Sequence, residues 1–219
     1  MNDLGGPPRN VFIVDDHPIV RQGLRQLIDA EDDLVVCGDA ATVEETRQVL
    51  SSEQPDVVIV DLSLADSDGL ELIKKIRKET WHLPILVLSM HDEKIYAERL
   101  LSAGANGYIM KQAAADQLLT ALRRVLAGGV YVSERLGASM IKCFPADLGA
   151  QNATPVERLS NRELQVLNLI GRGKMTREVA DSLNLSVKTI ESHRQRIKKK
   201  LNLETSAQLV QFAVNWYPQ

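Results

Sequence analysis

Four short apolar stretches each stop on a residue that phosphoryl chemistry can use. Val11–Val14 runs into Asp15 and Asp16, Val57–Val60 into Asp61, Ile85–Leu88 into Ser89, and Tyr108–Met110 into Lys111. A brief apolar run closed by a polar residue reads as a buried strand of a parallel sheet. In open parallel sheets, ligands gather outside the carboxyl ends of the strands. The pattern therefore predicts three carboxylates, a hydroxyl and an ammonium at one sheet edge. Carboxylates so crowded repel one another and favour a bound cation. An oxygen-only donor set suits Mg2+, which binds through one or two carboxylates and accepts phosphate oxygens. A metal ion and a lysine together neutralise a phosphoryl group in transfer. Lys111 would supply the ammonium and Ser89 a hydrogen bond. His17, just before Pro18, reads as an exposed loop residue.

Positioning these groups requires alternating strands and helices, and the sequence provides them up to about residue 127. Pro18 sits at the first turn of a helix running towards Ala30. Leu34–Cys37 reads as a second strand, and Thr42 caps the next helix. A polar loop, Leu62–Asp68, follows the strand ending at Asp61, and Gly69–Glu79 carries Leu70, Ile73 and Ile76 on one stripe. Pro84 precedes the fourth strand, Glu93–Ala103 is helical and closes at Gly104, Gly107 opens the fifth strand, and Ala114–Ala127 is a helix ending at Gly128-Gly129. Five strands and five helices in alternation argue for a doubly wound α/β domain of flavodoxin-like type, residues 9–130. Pro145, Gly149, Asn152, Thr154 and Pro155 mark a linker, residues 131–156.

The remainder, residues 157–217, reads as a small all-α domain of four helices. Ser160-Asn161-Arg162-Glu163 is a capping box. Thr176 reads as the cap of a helix to Leu183. Asn184-Leu185 is a short turn, Ser186 caps a long helix to Leu201, and Ser206 opens a last one through Trp216. Charge divides along the same line. Residues 1–150 carry 15 basic and 23 acidic side chains, whereas residues 151–219 carry 11 and 6. Only the C-terminal part is therefore suited to a polyanion.

The composition, 44% apolar and 25% charged, is that of a soluble globular protein. Met1–Asn10 has no apolar core of the kind a signal peptide needs, and no apolar run approaches the ~20 residues that cross a bilayer. Cys37 and Cys143 form no CxxC, and Cys37 reads as a buried free thiol. These features predict a cytoplasmic protein with no membrane partner.

The segment Val14-Asp15-Asp16-His17-Pro18, the loop from Asp61-Leu62-Ser63-Leu64 to Asp68-Gly69-Leu70, and Ser89, Tyr108 and Lys111 together resemble the receiver domain of two-component response regulators. The resemblance implies that Asp61 accepts a phosphoryl group from a phosphohistidine on a sensor histidine kinase. It implies that Asp15, Asp16, Asp61 and the backbone carbonyl of Ser63 hold Mg2+, and that Lys111 pairs with the phosphate. Ser89 would turn towards the phosphate, and Tyr108 would swing into the space left behind. The sequence departs from the family pattern at Ala65 and Gln112, where proline is common. Ser63 and His91 occupy the positions that in this family tune loss of the phosphoryl group.

In the tail, the long helix carries Lys188, Arg194, Arg196, Lys198, Lys199 and Lys200 against one acid, Glu191. Val187, Ile190, Ile197 and Leu201 read as its buried stripe. A basic helix after a helix and short turn suits the major groove of double-stranded DNA. Leu159–Glu163, Gly173, Glu178-Val179-Ala180, Leu185–His193 and Lys200-Leu201 closely resemble the LuxR-type helix-turn-helix. With the receiver, the chain is similar to response regulators of the NarL/FixJ type, and Gly129–Ser133 shares in that likeness. The resemblance puts Lys188, Glu191, Ser192 and Gln195 nearest the base edges and Arg194, Arg196 and Lys198 on phosphates, with Thr189 and Lys199 in the same contact set. Part of the last stripe, Leu209, Val210, Ala213, Val214 and Tyr217, would pair with a second copy, giving a homodimer on DNA. RNA polymerase is the further partner implied.

The reading that results is a transcription factor switched by phosphorylation, and not an enzyme beyond handling its own aspartyl phosphate. An aspartyl phosphatase would need a general acid close after the nucleophile, and the position two residues on is Ser63. The alternative is a DNA-binding regulator whose receiver serves only as a dimerisation scaffold. No GxGxxG follows the first strand, which argues against nicotinamide binding.

Overall fold

The chain divides into two compact units, residues 1–146 and 147–219. The structure, a computed structural model, describes residues 7–64, 69–80, 82–113, 115–142 and 155–216. Ala65, Asp68, Cys143, Tyr217 and the linker positions Pro145 to Thr154 lie outside them.

In the first unit, strands β1 (Arg9–Val14), β2 (Leu34–Ala40), β3 (Val57–Asp61), β4 (Ile85–Ser89) and β5 (Gly107–Met110) alternate with helices α1 (Pro18–Ile28), α2 (Val43–Ser52), α3 (Gly69–Glu79), α4 (Glu93–Ser102) and α5 (Ala115–Leu126). All strands are parallel, in the order β2-β1-β3-β4-β5. Every residue of β3 and β4 is buried. This is what continuous apolar runs covered on both faces predict. β1 pairs with β2 on one side and β3 on the other, so the connections reverse direction there. That reversal opens a crevice at the carboxyl ends of the strands. The register sets Val14 beside Val60, Asp61 beside Leu88 and Ser89 beside Met110, so the polar residues ending each run reach one edge.

Local chemistry fixes several boundaries. Pro18 opens α1, and the Thr42 hydroxyl caps α2 by accepting the Glu45 N–H. Strand β2 runs to Ala40, beyond the Cys37 expected from sequence. Cys37 is a free thiol, only partly buried, whose Sγ meets the Val11 carbonyl at 3.4 Å. A sixth helix, α6 (Glu134–Lys142), forms within the stretch read from sequence as linker.

The second unit contains a short 3-10 turn (Pro155–Arg158) and helices α7 (Asn161–Gly171), α8 (Thr176–Ser182), α9 (Val187–Leu201) and α10 (Ser206–Trp216). The capping box is complete: the Ser160 hydroxyl accepts the Glu163 N–H at 3.2 Å, and the Glu163 carboxylate accepts the Ser160 N–H at 2.7 Å. The α8 cap differs from expectation. Met175 holds the cap position, and Thr176 is the first helical residue. Ile190, Ile197 and Leu201 of α9 are buried, as are Leu209 and Ala213 of α10. Val187 is not part of the buried stripe: it is 47% exposed. Among the described residues no helix is long and apolar enough to cross a membrane.

Candidate functional site

Lys111, immediately after β5, reaches back across the sheet edge. Its Nζ lies 2.6 Å from Asp15 Oδ2 and 2.9 Å from Asp61 Oδ2. The Lys111 N–H donates to the Ser89 carbonyl at 2.7 Å, which ties the end of β5 to the end of β4. Asp15 is further fixed by the His17 N–H on Oδ1 at 2.8 Å, and Asp61 by the Ser63 N–H on Oδ1 at 3.2 Å. Asp15 and Asp61 are both buried. Gly69 is what lets α3 start against Asp61, since a Cβ there would lie 2.7 Å from the Asp61 carbonyl oxygen.

The electrostatics follow from this packing. Burial pushes the Asp61 carboxyl above its usual range, although Lys111 pulls it down, and Asp15 adds to the upward push. Burial works against the Lys111 ammonium, but Asp61 and Asp15 outweigh it and hold the lysine above its ordinary value. One cation thus serves two buried carboxylates, and a third, Asp16, lies beside them. Asp16 Oδ1 is buried and has no hydrogen-bond partner among the described residues. Nδ1 of His17 comes within 2.6 Å of it, in a geometry that makes no hydrogen bond. Ligand atoms of Asp15, Asp16, His17 and Asp61 all lie within 4.8 Å of one another. An orphaned carboxylate oxygen among hard oxygen donors fits a Mg2+ site. His17 is exposed, as its sequence context predicts, but its approach to the acidic group was not foreseen.

Behind this pocket sits a polar relay. Ser89, fully buried, accepts the His91 N–H on its hydroxyl at 3.1 Å. Tyr108 is also buried, and its hydroxyl donates to the His91 carbonyl at 2.8 Å. Burial pushes the Tyr108 phenol well above its ordinary value, so it acts as a hydrogen-bond donor. The His91 side chain joins its Nε2 to the Ser63 hydroxyl at 2.8 Å and tilts against the Tyr96 ring. His91 therefore touches both polar residues at the back of the pocket and the loop after Asp61. The sequence reading singled it out only by its position two residues after Ser89.

In the second unit, α9 exposes Lys188, Glu191, Ser192, Gln195, Arg196 and Lys199. Thr189, Arg194 and Lys198 are half-buried. Thr189 contributes to the helix start, its hydroxyl 2.8 Å from that of Ser186. Arg194 donates to the Thr176 hydroxyl at 3.1 Å and lies 3.8 Å from Glu191, packing α9 against the start of α8. The buried Glu163 carboxylate, besides its cap, takes Lys200 Nζ at 2.7 Å, fastening the end of α9 to α7.

A parallel sheet with an acidic, lysine-bearing edge defines a receiver, and the second unit's short helix, turn and basic helix define a helix-turn-helix. The family described as response regulator receiver domain matches residues 11–123, and that of bacterial regulatory proteins of the LuxR family matches residues 157–213. The chain belongs to the DNA-binding response regulators that join these two domains. It is similar to the oxygen regulatory protein NreC of Staphylococcus carnosus, 38% identical over 208 residues, covering 93% of this chain and 96% of that one. NreC of Staphylococcus epidermidis is 36% identical over 209 residues, with the same coverage. Among solved structures, RcsB from Salmonella enterica serovar Typhimurium bound to the promoter rprA in the presence of phosphomimetic BeF3− is similar with a TM-score of 0.60 and 30% identity, covering 94% of this chain and 98% of that one. A structure of two RcsB dimers bound to two parallel DNAs has a TM-score of 0.57 and 29% identity, with coverage of 95% and 99%.

Proposed function

We propose that the chain is the output component of a two-component system in which a sensor histidine kinase phosphorylates Asp61 and thereby controls binding of α9 to double-stranded DNA. In the transfer, a carboxylate oxygen of Asp61 attacks phosphorus, the P–N bond of the kinase phosphohistidine breaks, and the imidazole leaves with the bond's electron pair. Asp61 becomes an acyl phosphate. Lys111 then has three phosphate oxygens to pair with in place of one carboxylate. Asp15, Asp16, Asp61 and the Ser63 carbonyl would hold Mg2+, which supplies charge neutralisation for the phosphoryl group. Ser89 turns its hydroxyl from the His91 N–H towards the phosphate, while Tyr108, already buried, keeps its hydroxyl on the His91 carbonyl.

The observation that carries this reading is the bridging of Asp15 and Asp61 by a single lysine, at 2.6 and 2.9 Å. A purely scaffolding receiver has no use for so costly a buried charge cluster. The exposed Val210 and Val214 on α10 support pairing with a second copy on DNA. Action in the cytoplasm, alongside RNA polymerase, completes the proposal.

The test is incubation with Mg2+ and acetyl phosphate, with acyl phosphate read on a phosphate-affinity gel. Wild type gains a phosphate labile to acid, base and hydroxylamine and binds DNA more tightly, and Asp61→Asn gains none. Wild type that stays unlabelled, or Asp61→Asn that labels normally, overturns the proposal.

A further inference from the structure

The outer edge of β5 is not bare. After α5 the chain turns back along it: the Tyr131 N–H donates to the Asn106 carbonyl at 3.0 Å, and the Tyr108 N–H donates to the Tyr131 carbonyl at 2.9 Å. Gly107 and Tyr131 form a parallel bridge. Gly107 permits this approach, because a Cβ there would lie 3.0 Å from the Tyr131 carbonyl oxygen. Tyr131 also packs against the sheet's apolar core. Two residues later the strap is fastened again, where the Ser133 hydroxyl donates to the Glu93 carboxylate. Ser133 then starts α6, accepting the Leu136 N–H on its hydroxyl at 3.2 Å and the Gly137 N–H on its carbonyl at 2.9 Å.

Both fastening points belong to the switch apparatus. Tyr131 holds the backbone of Tyr108, whose side chain rests on His91. Glu93, first residue of α4, lies two residues beyond His91, whose N–H is held by Ser89. A cavity of about 270 Å³ lies among Tyr108, Gln112, Gln117, Tyr131, Glu93 and Ser133, so the strap has room to shift.

We infer that Tyr131 and Ser133 are positioning residues that couple the switch to α6: the Ser133–Glu93 clasp is closed in the unphosphorylated protein and opens when Ser89 turns to a phosphoryl group on Asp61. The inference rests on the phosphoryl switch proposed above. When the Ser89 hydroxyl leaves the His91 N–H, the loop carrying Glu93 loses one of its anchors. The clasp strains, and the residue that caps the first turn of α6 loses its hold on α4. α6 lies at the start of the chain leading to the DNA-binding unit, so its first turn is suited to report the state of Asp61.

The experiment is hydrogen exchange on the full chain, followed by mass spectrometry of peptides spanning 129–142, with acyl phosphate quantified on the same samples. In wild type, phosphorylation accelerates exchange at residues 131–137 by about fivefold, the equivalent of one net hydrogen bond. Ser133→Ala and Glu93→Ala, which removes the acceptor, label at Asp61 as wild type does. Their 131–137 segment exchanges fast from the outset and no longer responds to phosphorylation. Full labelling with an unresponsive segment in wild type, or a wild-type response in both variants, overturns the clasp and leaves the phosphoryl switch standing. Absence of label in wild type removes the switch itself, and the coupling with it.

Discussion

The Ser63 hydroxyl lies 2.8 Å from Nε2 of His91, joining the loop after Asp61 to the loop after Ser89. The Ser63 N–H itself rests on the Asp61 carboxylate, which is only 2% exposed. Breaking the bond frees both loops and admits water to the acyl phosphate. A neutral hydrogen bond contributes about 1 kcal/mol net, about fivefold in rate. Ser63→Ala and His91→Ala therefore each shorten the acyl-phosphate half-life about fivefold. The double variant goes little further, because both remove the same contact. Decay of labelled protein after removal of the donor measures this, and unchanged half-lives in both variants would deny the bond any part in retention.

Lys111→Met tests the acidic pocket through stability. The substitution keeps the volume and leaves two buried carboxylates without their cation. Such a loss costs about 3 kcal/mol. The sign with pH follows from Asp61. Its carboxyl is already raised by burial, and without the ammonium it rises further. A carboxyl raised in the folded state favours folding as pH falls, since the native protein then binds more protons. The deficit relative to wild type thus narrows between neutral and mildly acidic pH, and added Mg2+ narrows it at neutral pH. Urea midpoints across pH, with and without Mg2+, provide the measurement, and a deficit that widened on acidification would contradict the assignment.

The acidic pocket was largely legible because each strand is a short apolar run that stops on its functional residue, so strand ends and site residues are the same signal. Leu34–Cys37 is only the apolar part of β2, and Gly38 and Asp39 interrupt the run that marks it. As an edge strand, β2 pairs only with β1 among the described residues and can carry such residues. Spacing put Val187 in the α9 stripe, three residues before Ile190, but spacing marks a face and not how far along it the neighbours reach. Thr176 has the chemistry of a cap, yet its hydroxyl accepts from Arg194, a partner 18 residues away. His91 is marked in the sequence by its position alone, and its contacts are not legible there. They depend on main-chain groups brought together by loop conformation, which no side-chain pattern encodes.

Glu163 joins two roles that substitutions separate. It closes the capping box at Ser160 and pairs with Lys200, whose side chain is 39% exposed, so solvent weakens the pair. Glu163→Gln can keep the cap and loses the charge, costing about 1 kcal/mol. Glu163→Ala loses both and leaves the Lys200 ammonium and the Ser160 N–H unpartnered, costing about 2–3 kcal/mol. Thermal unfolding of the full chain checks the order. Equal losses in the two variants would show that the ion pair alone matters.

His193 makes the second unit sensitive to acid. Burial lowers its imidazole below the ordinary value of 6.5, with Arg196 and Arg162 adding repulsion, and its Nδ1 has no hydrogen-bond partner among the described residues. The unfolded chain therefore protonates this residue before the folded one does. Stability carried by the neutral ring is intact above about pH 6.5 and declines as pH falls from there towards the lowered folded value. His193→Asn flattens that part of the profile. Hydrogen exchange in α9 between pH 7.5 and pH 5.5, corrected for intrinsic rates, reads it, and an equally steep acid loss in His193→Asn would assign the effect elsewhere.

Contact with DNA divides the α9 cations by exposure. Lys188, Arg196 and Lys199 are open to solvent, whereas the Arg194 side chain is 13% exposed and already engaged with Thr176 and Glu191. Each lysine or arginine on a phosphate contributes about one unit to the slope of log affinity against log salt. Lys199→Ala and Arg196→Ala should each reduce that slope by about 1 and weaken binding alike on all sequences. Arg194→Ala, in contrast, should leave the slope nearly unchanged and lower the melting temperature, because it loosens α8 from α9 and gives up little to the phosphates. Titrations of labelled duplex at several salt concentrations separate the two outcomes. A full unit of slope lost in Arg194→Ala would mean that this guanidinium leaves Thr176 and Glu191 when DNA binds.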